Sequence, residues 1–280
     1  MSPQKGKITG NPDKSNEMTD IALAIIPATE ESDMTEANGN QQAPDYNGLQ
    51  AAFINCTLTP SPAFSHTECL MAVVQAIMKD AGVTVEMFRS VDHDIAPGVY
   101  PDMTEHGFDS DAWAEISKAV MASDILVIGT PIWFGEVSSE CRKIIERLYV
   151  HSGETNDRGQ YIFYGKAGGV VVTGNEDGVK HCAMSTLYSL GHIGYTIPPQ
   201  ADAGWIGPIG PGPSYGDEQD DGTRVGFDSD FTQRNATFLA WSLMHMAHIL
   251  KQAGGIPAYG NSREARDAGT RYNHPNPEYR

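Results

Sequence analysis

The chain has 280 residues, of which 40% are apolar and 20% charged, with 19 basic side chains against 36 acidic ones and a net charge of −17. A groove that tracks phosphates needs clustered Lys and Arg, so this balance excludes nucleic acid as an expected partner, and an anionic membrane surface with it. Cys56, Cys69, Cys141 and Cys182 stand far apart without a CxxC pair, which argues against a zinc site, a compact iron–sulfur motif or a disulfide scaffold.

Residues 1–49 are rich in Asn, Gln, Ser, Thr, Pro and acids, with three Lys against eight Asp and Glu. They are expected to form an extended or disordered arm, because nothing there builds a core. Their one greasy run, Ile21 to Ile26, follows acidic residues rather than the basic stretch of a signal peptide. No run reaches the roughly 18 apolar residues of a membrane span. The expected location is the cytoplasm.

Regular patterning begins at residue 50. Ala51 to Cys56 reads as a buried strand, and Thr57 to Ser65 as a Pro- and Ser-containing loop. Leu70, Met71, Val73, Val74, Ile77 and Met78 recur at helical spacing, and Gly82 ends that helix. Val83–Phe88 reads as a second strand, Trp113–Ala122 as a helix and Ile125–Ile128 as a third strand. A helix is expected over Glu136–Tyr149, a fourth strand over Gly168–Val172 and a helix over Val179–Leu190. Tyr195–Ile197 reads as a brief fifth strand, and Phe231–Ala253 as a long closing helix. The Gly-, Pro- and acid-rich stretch from Gly204 to Asp230 is expected to be a surface loop. Short apolar strands alternating with amphipathic helices predict an α/β domain, a doubly wound parallel sheet of five strands. Ligands of such sheets sit beyond the C-terminal strand ends, at the switch in strand order.

Three turns at that end can carry chemistry. The first, Thr57 to Thr67, leads into a helix N-terminus and offers hydroxyls at Thr57, Thr59, Ser61, Ser65 and Thr67. Free amides and the helix dipole there favour an anion. Without GK[ST] or GxGxxG, the loop suits a single phosphate; the alternative is a plain capping box, Ser65-x-x-Glu68. The second, Gly129 to Gly135, sets Trp133 and Phe134 beside Pro and Gly. Those rings suit a planar heterocycle, or else pack into the core or a subunit interface. The third, Thr173 to Gly178, offers polar groups to a heterocycle's edge, or is only a turn and a cap. His66, His181 and His192 fall into no metal-ligand spacing, so no metal site is expected.

The strings GTPIWFGEVSSECRKIIERL (129–148), VVVTGNEDGVKHCAMSTLYSLGHIGYTIPPQADAGWIGP (170–208) and RNATFLAWSLMHMAHILK (234–251) resemble, in order, segments of the NADPH-dependent FMN reductase family. The resemblance spans 50–255 and leaves the arm and a 256–280 tail outside. It implies a flavodoxin-like fold with strand order 2-1-3-4-5. It also implies bound FMN and an NAD(P)H-dependent flavin or quinone oxidoreductase, with NADPH or NADH as reductant and a quinone, flavin or other small molecule as acceptor. A flavodoxin-type carrier fed by a protein partner is the alternative. A homodimer or homotetramer is implied, with no catalytic side chain in the usual sense. By position, Thr57, Ser61, Ser65, His66 and Thr67 would hold the FMN phosphate. Pro131, Ile132, Trp133, Phe134 and Gly135 would border the flavin ring, and Thr173, Gly174, Asn175, Glu176 and Gly178 its far side. The family's loop often reads Ser-Pro-Arg where this chain has Ser61-Pro62-Ala63.

Overall fold

A computed structural model describes residues 44–270. The Ile21–Ile26 run and most of the arm lie outside these residues. The chain order is β1 (Gln50–Asn55), α1 (His66–Asp80), β2 (Thr84–Arg89), α2 (Trp113–Ala122), β3 (Ile125–Trp133), β4 (Glu136–Val137), α3 (Ser139–Tyr149), β5 (Ala167–Gly174), α4 (Val179–Ile193), β6 (Asp202–Ile206), α5 (Asp230–Gln252) and α6 (Arg263–Asp267). The sheet order is β2-β1-β3-β5-β6, all pairs parallel, and β4 folds back antiparallel on the end of β3. With the small hairpin set aside, this is the flavodoxin-like order 2-1-3-4-5.

The strands are apolar throughout because both faces are covered. In β1, Ala51 and Phe53 enter the core beneath α1 and α5. Ala52 and Ile54 enter the opposite core, beneath α2, α3 and α4. Successive side chains leave a strand on opposite faces, so each strand serves two cores. Tyr46 and Leu49 are also buried, and the Tyr46 hydroxyl meets His245 Nδ1 at 2.7 Å. The last residues before β1 are therefore packed against the domain.

Several elements differ from the sequence expectation. The helix expected from Glu136 is split: Gly135 turns with positive φ, Glu136–Val137 pairs with β3, and Ser138 caps a helix that starts at Ser139. The expected strand Tyr195–Ile197 supplies only one bridge, Thr196 to Ala167. Pro198 and Pro199 follow it and have no N–H to extend a ladder. The fifth parallel strand is Asp202–Ile206 instead, which a mixed, Gly-containing composition hides. Gly204–Ile206 therefore belong to the sheet, not to the loop. The rest of that expected surface loop is anchored by a ring cluster, with Tyr215 centred 5.7 Å from Trp205 and 5.4 Å from Phe227. Past α5, Gln160 Nε2 donates to Pro257 O at 3.3 Å and to Asn261 Oδ1 at 3.1 Å, which ties the described tail to the 155–160 turn.

One buried ion pair fastens the long excursion between β2 and α2. Asp111 accepts from the amides of Ala96 (3.2 Å), Met103 (3.0 Å) and Trp113 (3.1 Å), and from Arg147 Nη2 at 2.6 Å. Both partners are wholly buried. Removing the carboxylate strands a buried guanidinium. Asp111→Ala is expected to cost about 3–5 kcal/mol in urea melts, and adding Arg147→Met is expected to recover part of that loss.

Candidate functional site

The ends of β1, β3 and β5 meet around a cavity of about 540 Å³. Thr57, Ser65, His66 and Thr67 line it from the β1–α1 turn, Pro131, Ile132 and Trp133 from β3, and Thr173, Gly174, Asn175 and Glu176 from β5 and its turn. The parallel register causes this convergence. Asn55 ends β1 opposite Gly129, and Pro131 lies opposite Thr173, so the turn after β1 and the ends of β3 and β5 rise side by side.

The hydroxyl loop is held from within. Asn55 Oδ1 accepts the Thr57 amide at 3.1 Å, and Asn55 Nδ2 donates to Ser65 Oγ at 3.2 Å and to Glu68 Oε2 at 3.0 Å. Ser65 caps α1, accepting from the Glu68 amide at 3.2 Å. The cap is real but not reciprocal, because the Glu68 carboxylate is engaged by Arg89 and Asn55. Thr67 Oγ1 and Thr173 Oγ1 meet at 2.8 Å across the cavity floor. Among the described residues no Lys or Arg lines the cavity; its ionisable side chains are His66, Glu176 and Tyr215.

Four of the expected residues do not line it. Ser61 faces outward, its amide donating to Asp92 Oδ1 at 2.8 Å. Phe134 is 94% exposed at the hairpin tip, with φ of 53°. Its amide donates to Glu176 Oε1 at 2.8 Å, which holds this uncommon conformation. Gly135 and Gly178 touch each other instead. A Cβ on Gly178 would lie 2.8 Å from Gly135 O, and its φ of 132° suits only glycine. These residues brace the aromatic hairpin against the turn after β5. Trp133 is half exposed above the cavity.

A fourth wall was absent from the sequence reading. Leu58 and Phe64 line the near side, and Ile209, Gly210, Ser214 and Tyr215 the far side. The far wall is tethered by two residues expected to touch a ligand. His66 Nδ1 donates to Tyr215 O at 2.8 Å. Asn175 Nδ2 donates to Gly212 O at 2.8 Å and Pro213 O at 2.9 Å, while Asn175 Oδ1 accepts from Ser214 Oγ at 2.7 Å. The side-chain amide of Asn175 is thus committed to the wall. The signal in the sequence was the run Gly207-Pro208-Ile209-Gly210-Pro211-Gly212-Pro213, whose rigid and glycine-bearing steps suit a built loop. Its acidic neighbours masked it.

The four cysteines are all buried, Cys69 in one core and Cys56, Cys141 and Cys182 in the other. Burial pushes the Cys69 thiol up to about 12 and the Cys182 thiol up to about 11. Burial likewise raises Cys56, whereas Cys141 beside it is lowered, chiefly by its contact with the Cys56 thiol.

A family model described as NADPH-dependent FMN reductase matches residues 51–205. A Streptomyces davaonensis protein, 8-demethyl-8-aminoriboflavin-5'-phosphate synthase, is 32% identical over 209 residues, 73% of this chain and 79% of that one. The crystal structure of RosB with 8-demethyl-8-formylriboflavin-5'-phosphate bound superposes with a TM-score of 0.67 at 31% identity, covering 83% of this chain and 94% of that one. A Mycobacterium bovis protein named divalent metal cation transporter MntH is 54% identical over 218 residues, 78% of this chain but 31% of that protein. Among the described residues no helix is long and apolar enough to cross a membrane.

Two outcomes follow from this packing. Gly178→Ala is expected to cost about 1–3 kcal/mol and to speed amide exchange over 133–136; unchanged exchange there would show the hairpin to be independent of Gly178. The thiol of Cys69 ionises near 9.0 when free in the unfolded chain, and burial pushes it up to about 12 in the folded protein. Its contribution is complete below pH 9 and is lost as pH rises towards 12, because the unfolded chain then sheds the proton first. Cys69→Ala is expected to flatten the alkaline fall in stability measured by urea melts at stepped pH.

Proposed function

This chain belongs to the NADPH-dependent FMN reductase family, and on that premise we propose that it is an FMN-dependent oxidoreductase. In this reading it takes hydride from NADPH or NADH and passes electrons to a quinone, a flavin or another small acceptor. The observation that carries it is the cavity of about 540 Å³ at the switch between β1 and β3, within the ~300–1,000 Å³ of small-ligand sites. RosB, with a flavin 5'-phosphate derivative bound, supports a flavin phosphate as the class of ligand.

The donor set suits that group. Thr57, Thr67, Thr173 and the first-turn amides of α1 would hold the phosphate with neutral donors and a helix dipole. Ser65 contributes through the cap that fixes this turn. Ile132, Trp133 and Phe64 offer apolar surface to a planar ring, and Thr173 and Glu176 a polar border. Bound FMN supplies the two-electron chemistry that these side chains lack. The chain's own part is to bind, orient and shield: Glu176 fixes the hairpin tip, and Asn175 and His66 fix the far wall. No lining side chain is assigned a proton transfer.

The reading assigns the activity to residues 50–255, working in the cytoplasm as a homodimer or homotetramer. The transport named for the M. bovis protein is not extended to this chain, which spans 31% of it.

Titration with FMN is expected to yield a yellow, saturable complex that oxidises NADPH or NADH when a quinone is added. A protein that binds no FMN overturns the proposal. One that binds FMN but ignores both nicotinamides is a carrier instead. Trp133→Ala is expected to weaken FMN binding about tenfold, or 1.4 kcal/mol; an unchanged affinity would return Trp133 to a packing role.

A further inference from the structure

The loop that approaches the proposed phosphate lacks its own arginine, and a guanidinium reaches it from the neighbouring strand. Arg89, the last residue of β2, is buried. Its Nη1 donates to Ala63 O at 2.9 Å and to Thr59 O at 3.2 Å. Its Nε donates to Glu68 Oε2 at 2.9 Å, and Nη2 pairs with the same oxygen. Arg89 thus grips both ends of the 59–63 turn and the first turn of α1 at once. The position where the family often carries arginine is Ala63, and it is the Ala63 carbonyl that Arg89 takes.

We propose that Arg89 is the positioning residue of this anion loop: by drawing the Ala63 carbonyl to itself, it turns the Phe64 amide toward the cavity, where a phosphate monoester would bind, while its bond to Thr59 O, which precedes Pro60 and so has no N–H behind it, pins the other end of the turn. The inference rests on the FMN reading for its ligand. Its geometry rests on the peptide unit. In a trans peptide the N–H points opposite to the C=O, so the Phe64 amide points away from Arg89. Phe64 lines the cavity and Arg89 does not. The neighbouring amides are engaged elsewhere, Ser61 with Asp92 Oδ1 at 2.8 Å and Ala63 with Pro60 O at 3.1 Å. The amides of Phe64, His66 and Thr67 have no acceptor among the described residues. They form the open donor group at the start of α1, where the dipole adds to them.

Charge is a minor part of this role. Glu68 sits on Arg89 and cancels it, so the pair gives the phosphate little net attraction. What Arg89 supplies is its planar fork, which satisfies the two carbonyls and the carboxylate together. A lysine ammonium has the charge but not that geometry.

Arg89→Lys is therefore the informative variant. Dissociation constants for FMN and for riboflavin, which lacks the phosphate, are measured on the full chain by flavin fluorescence. Wild type is expected to prefer FMN. Arg89→Lys is expected to lose about tenfold in FMN affinity, the scale of a lost charge-assisted hydrogen bond, with riboflavin affinity unchanged. Equal losses for both flavins, or no loss for either, overturn the positioning role. Wild type that binds neither flavin overturns the FMN reading, and a ligand-free measurement still decides about Arg89. Hydrogen exchange at the Ser61, Ala63 and Glu68 amides, each hydrogen-bonded within or beside the loop, is expected to quicken in Arg89→Lys, and exchange at the wild-type rate overturns the inference. If Arg89→Lys unfolds, the same exchange is read in Arg89→Gln, where it is expected to quicken at these three amides while the amides of β3 keep wild-type rates; wild-type exchange at all three counts against the role.

Discussion

Arg89, Asn55 and Gly129 lie in one row across three adjacent parallel strands, and the arrangement above the sheet depends on that row. The parallel register brings the ends of β1 and β2 level, while β3 runs on to Trp133, so Asn55 and Arg89 stand at the base of the turn that follows β1. Asn55 uses this place to bond the loop after its own strand, the cap of α1 and the carboxylate of Glu68. Gly129 has no side chain, so α1 settles close to β3: a Cβ there would lie 2.1 Å from Met71 Sδ. Helix and sheet are thereby set at the distance that lets Thr67 reach Thr173. A one-residue slip in β1 would carry Asn55 to the opposite face and undo its bonds to the loop and the cap.

The electrostatics follow from the same economy of charge. The chain is strongly acidic, yet the donors that converge on the cavity are neutral hydroxyls and amides. Basic groups near the sheet are neutralised locally, Arg89 by Glu68 and Arg147 by Asp111. Such pairs in low-dielectric surroundings act mainly through geometry, because each cancels the field of its partner. A dipole and oriented amides keep their direction at short range whatever the net charge of the chain.

The sheet was legible in the sequence where strands were buried on both faces. Ile125 to Ile128 and Val170 to Val172 announce themselves through continuous apolar runs. β6 did not, because an edge strand such as Asp-Ala-Gly-Trp-Ile needs one buried face and tolerates a Gly and an acid. The site was legible as turns at strand ends but not as roles. Asn175 and His66 read as polar groups near a ligand, and the fold uses both to hold a wall that is distant in sequence. Gly178 read as a contact and is a spacer for Gly135. Nothing local to Ala63 indicated Arg89, since the partnership arises only when β2 lies beside β1. Side chains whose work is done across the sheet leave no periodic trace.

The tether of the far wall has a consequence for how such a site diversifies. Asn175 and His66 hold it through the carbonyls of Gly212, Pro213 and Tyr215, which any residue would present. Ile209, at the lip of the cavity, makes no part of that attachment and is 86% exposed. Placement and chemistry are therefore encoded by different atoms: main chain for where the wall stands, side chain for what it shows. Descendants of this sequence can exchange residue 209 for a polar, charged or bulkier one while the wall keeps its post, so the lip is where new selectivities arise at least structural risk.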